Sequence, residues 1–318
     1  MTATARGQFV SRVHSNVRLC RDHYRLVLSL PEFPPTEPGQ FVQLQCQNPH
    51  EAERTERELD WRADQPLEVG SDTLLTPGAM LRRPFSLAGR RDVGGGVEID
   101  IIHRIVGIGT DWLSRLKTGD EVGVLGPLGN KFDLPAVDAT AVLVGGGVGI
   151  PPMLYLAEKL AGRSAVAFCG ALTRDLLPLT VIDDVPPSGA TPTKSIADFA
   201  RHGIPSVITT DDGSYGFRGF VTQALEQYLD ANRAKQRVIY TCGPEPMMKR
   251  IADIAAARNI ECQIAVERAM ACGMGTCQSC CIRMKKPDAS QPPLPGRDWC
   301  YRLACTDGPV FRGSQLLW

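Results

Sequence analysis

Between Gly7 and Gly129, hydrophobic and polar residues alternate in short runs: GQFVSRVHSN, YRLVLSL, GQFVQLQCQ, VEIDIIHRIV and DEVGVLGPLG, with Pro, Gly and Asp between them. A period of two marks half-buried strands, and several short strands at this spacing predict a small antiparallel barrel. Between Asn48 and Met80 the pattern gives way to a polar stretch rich in Glu and Arg. It is too long for an ordinary hairpin loop and reads as a surface insertion.

From Asp138 the period changes. ATAVLVGGG is an apolar, β-branched run ending in glycines, and IPPMLYLAEKLAGR repeats its apolar positions at helical spacing. SAVAFCGA, PSVITT and RVIYTCGP then alternate with the helix-like GFVTQALEQYLDANRA and EPMMKRIADIAAARNI. Strands alternating with helices predict a parallel α/β sheet. A Pro-rich loop begins at Lys285, and the chain closes on a short segment rich in cysteine. The expected fold is multi-domain, β plus α/β: an antiparallel barrel over 1–137, a parallel α/β domain over 138–262 and a small C-terminal lobe over 263–318.

The composition fits that plan, since 318 residues with 43% hydrophobic content are enough for two compact domains and a short appendix. Lys plus Arg equals Asp plus Glu at 35 each, which argues against a nucleic-acid groove or an anionic membrane as partner. The first residues lack the apolar core of a signal peptide, and no stretch is apolar for the length of a membrane span. The expected location is the cytoplasm or an equivalent reducing compartment.

In such a compartment clustered cysteines mean metal or redox chemistry more often than disulfides. Of the eleven cysteines, Cys20, Cys46, Cys169 and Cys242 are scattered among apolar neighbours and read as buried, inert thiols. Cys272, Cys277 and Cys280 are separated by four and then two residues, and Cys305 follows. That is the ligand order of plant-type [2Fe-2S] sites. A short loop must wrap the cluster, and Gly273 and Gly275 let its backbone N–H groups approach the sulfurs. A zinc site built from Cys277, Cys280, Cys300 and Cys305 would leave Cys272 and both glycines unexplained. The segment has no histidine for a Rieske centre, and Cys281 and Cys300 compete with Cys305 for the fourth position.

Two glycine turns follow predicted strands and open predicted helices. In LVGGGVGIPPM, Gly145, Gly146, Gly147 and Gly149 clear side chains from a helix N-terminus where a diphosphate would sit, and Pro151 or Pro152 suits its first turn. The stretch is not the common G-x-G-x-x-G fingerprint, and alone it would also fit a tight turn, as the lesser alternative. The second turn, TCGPEPMM, places Cys242, Gly243 and Pro244 at the carboxyl edge of the same sheet, where ligands bind. Asp211 and Asp212 on a third loop suit either a ribose contact or a solvated, capped turn. In the barrel, RRPFSLAG combines a guanidinium, a rigid Pro, an aromatic ring and a hydroxyl. Arg83 would suit a diphosphate, with Phe85 and Ser86 near an isoalloxazine or ribityl chain.

Together RPFS, RIVGIGT, GPLG, GGGVGIPP, CGPEPM and the cysteine loop resemble the ferredoxin-reductase-like flavoproteins, and more narrowly the electron-transfer subunits of type B dihydroorotate dehydrogenases. The decisive stretches are ERAMACGMGTCQSC and CTDGPVF, and the likeness covers nearly the whole chain outside the insertion and the expanded loop before Cys305. The resemblance implies an FAD-binding barrel, an NAD-binding α/β domain and a [2Fe-2S] lobe. By motif position Arg83, Pro84, Phe85 and Ser86 would hold FAD with Ile102, His103 and Arg104, and Gly109 and Thr110 would meet its pyrophosphate. Cys272, Cys277, Cys280 and Cys305 would hold the cluster, Cys305 because it precedes TDGPVF. His103 replaces the aromatic residue often found at its position in the family, and reads conservatively as a core or edge-strand histidine.

The implied role belongs to pyrimidine biosynthesis. An FMN-containing catalytic subunit, joined to this chain in a heterotetramer, oxidises dihydroorotate, and electrons pass through the cluster and FAD to NAD+. The chain's own residues leave NAD against NADP open. A sulfide dehydrogenase or NADPH-ferredoxin oxidoreductase subunit of the same architecture is the nearest rival, and such relatives typically carry an aspartate where Cys272 stands. An oxygenase reductase would need a longer ferredoxin part, and a redox-sensing nucleotide-binding module would lack turnover.

Overall fold

The computed structural model describes residues 6–49, 81–182, 189–232, 236–285 and 298–318. All but the first two residues of the expected insertion, and the Pro-rich loop after Lys285, lie outside the described residues.

The first half is built of β1 (Gly7–Cys20), β2 (His23–Leu30), β3 (Phe41–Leu44), β4 (Arg83–Ser86), β5 (Gly89–Val93), β6 (Gly96–Arg104), helix α1 (Ile108–Ser114) and β7 (Glu121–Leu128). The seven strands form one antiparallel half-barrel in the order β4-β3-β7-β1-β2-β6-β5. Alternating positions place Val13, Leu26, Leu28, Ile99, Ile101, Val122 and Val124 inside it. RPFS is β4, paired along its whole length with β3.

The second half carries β8 (Thr140–Gly146), α2 (Ile150–Lys159), β9 (Ala165–Ala171), α3 (Ala197–Ala200), β10 (Ser206–Thr210), β11 (Phe217–Arg218), α4 (Val221–Ala231), β12 (Arg237–Cys242), α5 (Glu245–Ala257) and β13 (Glu261–Ala265). The chain ends with β14 (Cys281–Lys285), β15 (Trp299–Leu303) and β16 (Val310–Arg312). The second sheet runs β11-β10-β9-β8-β12-β13-β16 and is parallel except for β16, which pairs antiparallel with β13. The cysteine segment therefore returns to the α/β sheet, and the position expected to open the lobe falls inside β13.

The α/β sheet has a hydrophobic layer on each face. One holds Met153, Leu154 and Leu156 of α2, and Phe199, against β8 and β9. The other joins α4 and α5 to Phe41 and Leu128 of the half-barrel and to Cys280, Ile282, Ala304 and Cys305. The cysteine lobe thus has its core in common with both larger units. Asn130, after β7, adds polar ties: its side-chain amide donates to the Asp307 carbonyl at 3.0 Å and the Val310 carbonyl at 2.8 Å, and accepts from the Val310 N–H at 2.9 Å.

A charge cluster centred on the buried Asp100 ties the half-barrel to α3. The Asp100 side chain is 2% exposed and accepts from Arg25 and from Arg91 at 3.0 Å, while Arg25 also reaches Asp198 at 3.6 Å. Removing a charge from such a cluster strands its partners. Asp100→Asn is expected to cost about 2 kcal/mol of stability, read as a lower midpoint in urea with an unchanged slope. A midpoint equal to the native one would remove this cluster from the account of how the halves are joined.

Candidate functional site

Strand β4, the ends of β6 and β12, the α1 loop, Val148 and residues 265–270 enclose a cavity of about 890 Å³ between the half-barrel and the α/β unit. Arg83, Pro84, Phe85, Ser86, Ile102, His103, Arg104, Gly109 and Thr110 all line it, as does Cys242. Register explains the gathering: β4 lies beside β3, and β6 runs out of the sheet into the loop that begins α1. The Thr110 hydroxyl shapes that loop, accepting from the Val106 N–H at 2.8 Å and the Gly107 N–H at 3.2 Å and donating to the Gly107 carbonyl at 3.0 Å. The Arg83 guanidinium donates to the Leu81 carbonyl at 2.8 Å.

His103 is buried in this wall, stacked on Tyr24 at 5.9 Å and edge-on to Phe85 at 6.1 Å. Neither ring nitrogen has a partner among the described residues. Burial, aided by His23, pushes its pKa down to about 4, so the ring is neutral. A buried, orphaned polar ring beside an open cavity fits a cofactor rich in hydrogen-bonding groups, such as a flavin dinucleotide. Because the unfolded chain takes up this proton at a higher pH, the native fold keeps its full stability above pH 6.5 and loses it as pH falls toward 4. His103→Phe is expected to recover about 2 kcal/mol at pH 5 relative to pH 7.5. Melting curves at the two pH values test this, and an equal pH loss in both proteins would count against it.

A second cleft, of about 730 Å³, opens at the carboxyl ends of β8, β9, β10 and β12. Gly146, Gly147 and Pro244 line it, together with Asp211, Met247 and Thr222. Gly145, Gly149 and Gly243 do not line it, and Cys242 faces the first cavity instead. Gly149 has a packing role, since a Cβ there would stand 2.1 Å from the Cys242 carbonyl oxygen. The two adjacent aspartates divide their work. Asp212 accepts from the Ser214 N–H and hydroxyl at 2.9 and 2.7 Å, which lowers its pKa, whereas Asp211 faces the cleft with its pKa raised by burial and by Asp212. Arg104, Val148 and Glu267 line both the cleft and the larger cavity, so the two share a wall.

The cysteine loop lies against β3. Gly273 has φ +69°, and a Cβ there would stand 2.8 Å from the Gln43 side-chain oxygen. The Gln43 amide in turn donates to the Ala271 carbonyl at 3.5 Å. The backbone N–H groups of Met274 and Cys277 both point at the Cys272 sulfur, at 3.4 Å each. Cys280 and Cys305 are buried side by side, and Cys305 receives the Gly275 N–H. Burial and then the Cys280 thiol push the Cys305 pKa up to about 12, while the Ser279 hydroxyl, 3.2 Å from the Cys277 sulfur, leads the causes that lower Cys277 to about 6. Among the described residues no three His, Cys, Asp or Glu side chains converge as they would around a single ion. The thiols instead fall into two pairs, 272 with 277 and 280 with 305, under inward-turned N–H groups, a donor set suited to a two-iron cluster. Cys281 is exposed on β14 and Cys300 lies opposite Met284 on β15.

Of the scattered thiols, Cys46, Cys169 and Cys242 are buried, whereas Cys20 is only half-buried beside Arg174 and Asp175, because β1 ends at the domain junction there. Sequence reasoning missed Gln43, Asn130, His23 and Glu267. Gln43 carried one signal, a lone amide in the apolar run FVQL.

An antiparallel half-barrel facing an α/β sheet, with two clefts sharing a wall at their junction, defines the ferredoxin-reductase-like flavoprotein class. The whole chain superposes on 92% of an NADH-dependent reduced ferredoxin-NADP oxidoreductase structure with a TM-score of 0.66 and 25% identity. A cytochrome P450 reductase from Amycolatopsis shares the fold over 82% of this chain and 68% of its own, with a TM-score of 0.57 and 23% identity. Residues 267–317 match the model of the iron-sulfur cluster binding domain of dihydroorotate dehydrogenase B. The dihydroorotate dehydrogenase B (NAD(+)) electron transfer subunit of Geobacillus thermodenitrificans is 36% identical over 75% of this chain and 80% of its own. That of Caldanaerobacter subterraneus subsp. tengcongensis is 28% identical over 98% of this chain and 99% of its own. The chain belongs to the family of dihydroorotate dehydrogenase B electron transfer subunits.

Proposed function

We propose that this chain carries electrons from the FMN of a dihydroorotate dehydrogenase catalytic subunit through a [2Fe-2S] cluster and FAD to NAD+, in pyrimidine biosynthesis. The observation that carries this reading is the row of three sites. The cysteine loop rests on β3, the flavin cavity opens beside the adjoining β4, and the nucleotide cleft shares a wall with that cavity. When bound, the cluster supplies one-electron transfer and FAD the conversion to hydride transfer.

The protein's part is to hold and orient. Arg83, Pro84, Phe85 and Ser86 on β4 and Ile102, His103 and Arg104 on β6 would hold the flavin, Arg104 from the wall shared with the nucleotide cleft, and Gly109 and Thr110 would meet its pyrophosphate. Gly146, Gly147 and Pro244 shape the nucleotide turn, which Gly145, Gly149 and Gly243 support from behind, with Cys242 at the flavin side of the shared wall. Cys272, Cys277, Cys280 and Cys305 hold the cluster. In this reading residues 1–137 bind FAD, 138–262 bind NAD and 263–318 carry the cluster.

The working assembly is a cytoplasmic heterotetramer with two catalytic subunits. No described helix is long and apolar enough to cross a membrane. The test is an anaerobic assay of the chain co-purified with a dihydroorotate dehydrogenase catalytic subunit. NAD+ reduction that needs both proteins and dihydroorotate is the expected result. NADH-dependent dye reduction without dihydroorotate coupling would instead favour a role like that of the ferredoxin-NADP oxidoreductase.

A further inference from the structure

His23 opens β2, and the β2–β6 ladder sets it directly opposite Arg104, the last residue of β6. Directly opposed residues of an antiparallel pair send their side chains to one face, and the next pair sends them to the other. The tip of this ladder therefore serves two cavities. His103, stacked on Tyr24, belongs to the flavin side, whereas His23 lines the nucleotide cleft beside Arg104.

The chemistry of the His23 ring is fixed by its neighbours. Its Nδ1 lies 2.8 Å from the Arg21 carbonyl oxygen, which can only accept, so Nδ1 carries the proton. Burial lowers the ring's pKa, the Arg21 carbonyl opposes that shift and the Arg104 guanidinium adds to it, with a net lowering that keeps the ring neutral. Nε2 is then a bare acceptor, on a residue 1% exposed, with no partner among the described residues. The Nε of Arg104 is likewise a buried donor without one. Such groups are costly unless a ligand or water completes them.

We propose that His23 Nε2 accepts a hydrogen bond from a ribose hydroxyl of the pyridine nucleotide, beside a diphosphate met by Arg104. This rests on the nucleotide reading given above. A diphosphate offers only acceptor oxygens at neutral pH, so it suits Arg104 and cannot be the partner of a neutral Nε2. A ribose hydroxyl, a few bonds from the diphosphate, can donate. FAD also carries a ribose next to its diphosphate. However, His23 lines the cleft formed with Gly146, Gly147 and Asp211 and does not line the flavin cavity.

The test is calorimetric titration of ADP-ribose into the chain loaded with FAD and cluster. His23→Leu is expected to weaken ADP-ribose about tenfold with FAD content unchanged, and His23→Gln, whose side-chain oxygen can replace Nε2, to stay within about threefold of native. NADH analogues lacking single ribose hydroxyls, titrated into the native protein, should include one that binds about tenfold more weakly than NADH. Native affinity in His23→Leu, or equal binding of all the analogues, would overturn the proposal. Loss of FAD with unchanged ADP-ribose affinity would move His23 to the flavin's ribose and overturn it too. A native protein that binds neither NADH nor ADP-ribose would instead strike at the nucleotide reading beneath it.

Discussion

Cys280→Ser is expected to remove the cluster's visible absorption and to cut dihydroorotate-dependent NAD+ reduction by roughly 100-fold or more, while FAD content and NADH-dependent dye reduction stay within about twofold. The physical ground is the pairing of Cys280 with Cys305, both 1% exposed and in direct electrostatic contact. A serine oxygen is a hard, weakly acidic donor and a poor substitute for a thiolate on iron. Among the described residues, none between 271 and 308 lines the flavin cavity, so its contents should survive the loss. Cys281→Ser, on the exposed strand position next in sequence, is the matched control and should keep the cluster. Iron and sulfide analysis beside the two activities decides the matter. Parallel loss of both activities in Cys280→Ser would contradict the separation of cluster from flavin chemistry.

Gly149→Ala is the second large effect. The added carbon would lie 2.1 Å from the Cys242 carbonyl oxygen, 2.2 Å from its carbonyl carbon and 2.4 Å from the Gly243 nitrogen. All three are backbone atoms at the end of β12, with no flexible tip to move aside. Relief requires separating the start of α2 from β12, which are the two walls of the nucleotide turn. The expected cost is about 3 kcal/mol, or a fall of roughly 6 °C or more in melting temperature, together with at least a tenfold loss in NADH-dependent dye reduction. Gly94→Ala, where nothing lies within 4 Å, should remain within about 0.5 kcal/mol of native. A Gly149→Ala protein as stable and active as native would show that the turn and β12 do not meet so closely.

Much of this molecule is legible along the chain because its elements obey strong local rules. The alternation in YRLVLSL and VEIDIIHRIV, and the helical spacing in IPPMLYLAEKL and EPMMKRIADIAAA, each became the expected element. What the chain hides are relations between distant stretches. Gly146 and Gly149 look equivalent in GGGVG, yet one lines the cleft and the other makes room for Cys242, a residue far along the sequence. Asp211 and Asp212 are equally plausible ribose contacts until the turn gives one of them to Ser214. Gln43, Asn130 and His23 are ordinary polar residues until pairing sets them against Ala271, Val310 and Arg104. The return of β16 to the α/β sheet was hidden for the same reason, since three residues, VFR, give little periodicity to read.

The common core under the cysteine lobe also bears on how this architecture can be rearranged. Ile282, Ala304 and Cys305 share one hydrophobic cluster with Phe41 and Leu128 of the half-barrel and with residues of α4 and α5, and β16 is stitched into the neighbouring sheet. Such a lobe is a keystone and not a plug-in module. Transplanting the cysteine loop into a flavin reductase that lacks it would require the matching seat as well, the β3 amide, the asparagine after β7 and the free edge of β13 included. Gain or loss of this electron relay in related reductases therefore costs more than one insertion or deletion at the chain's end.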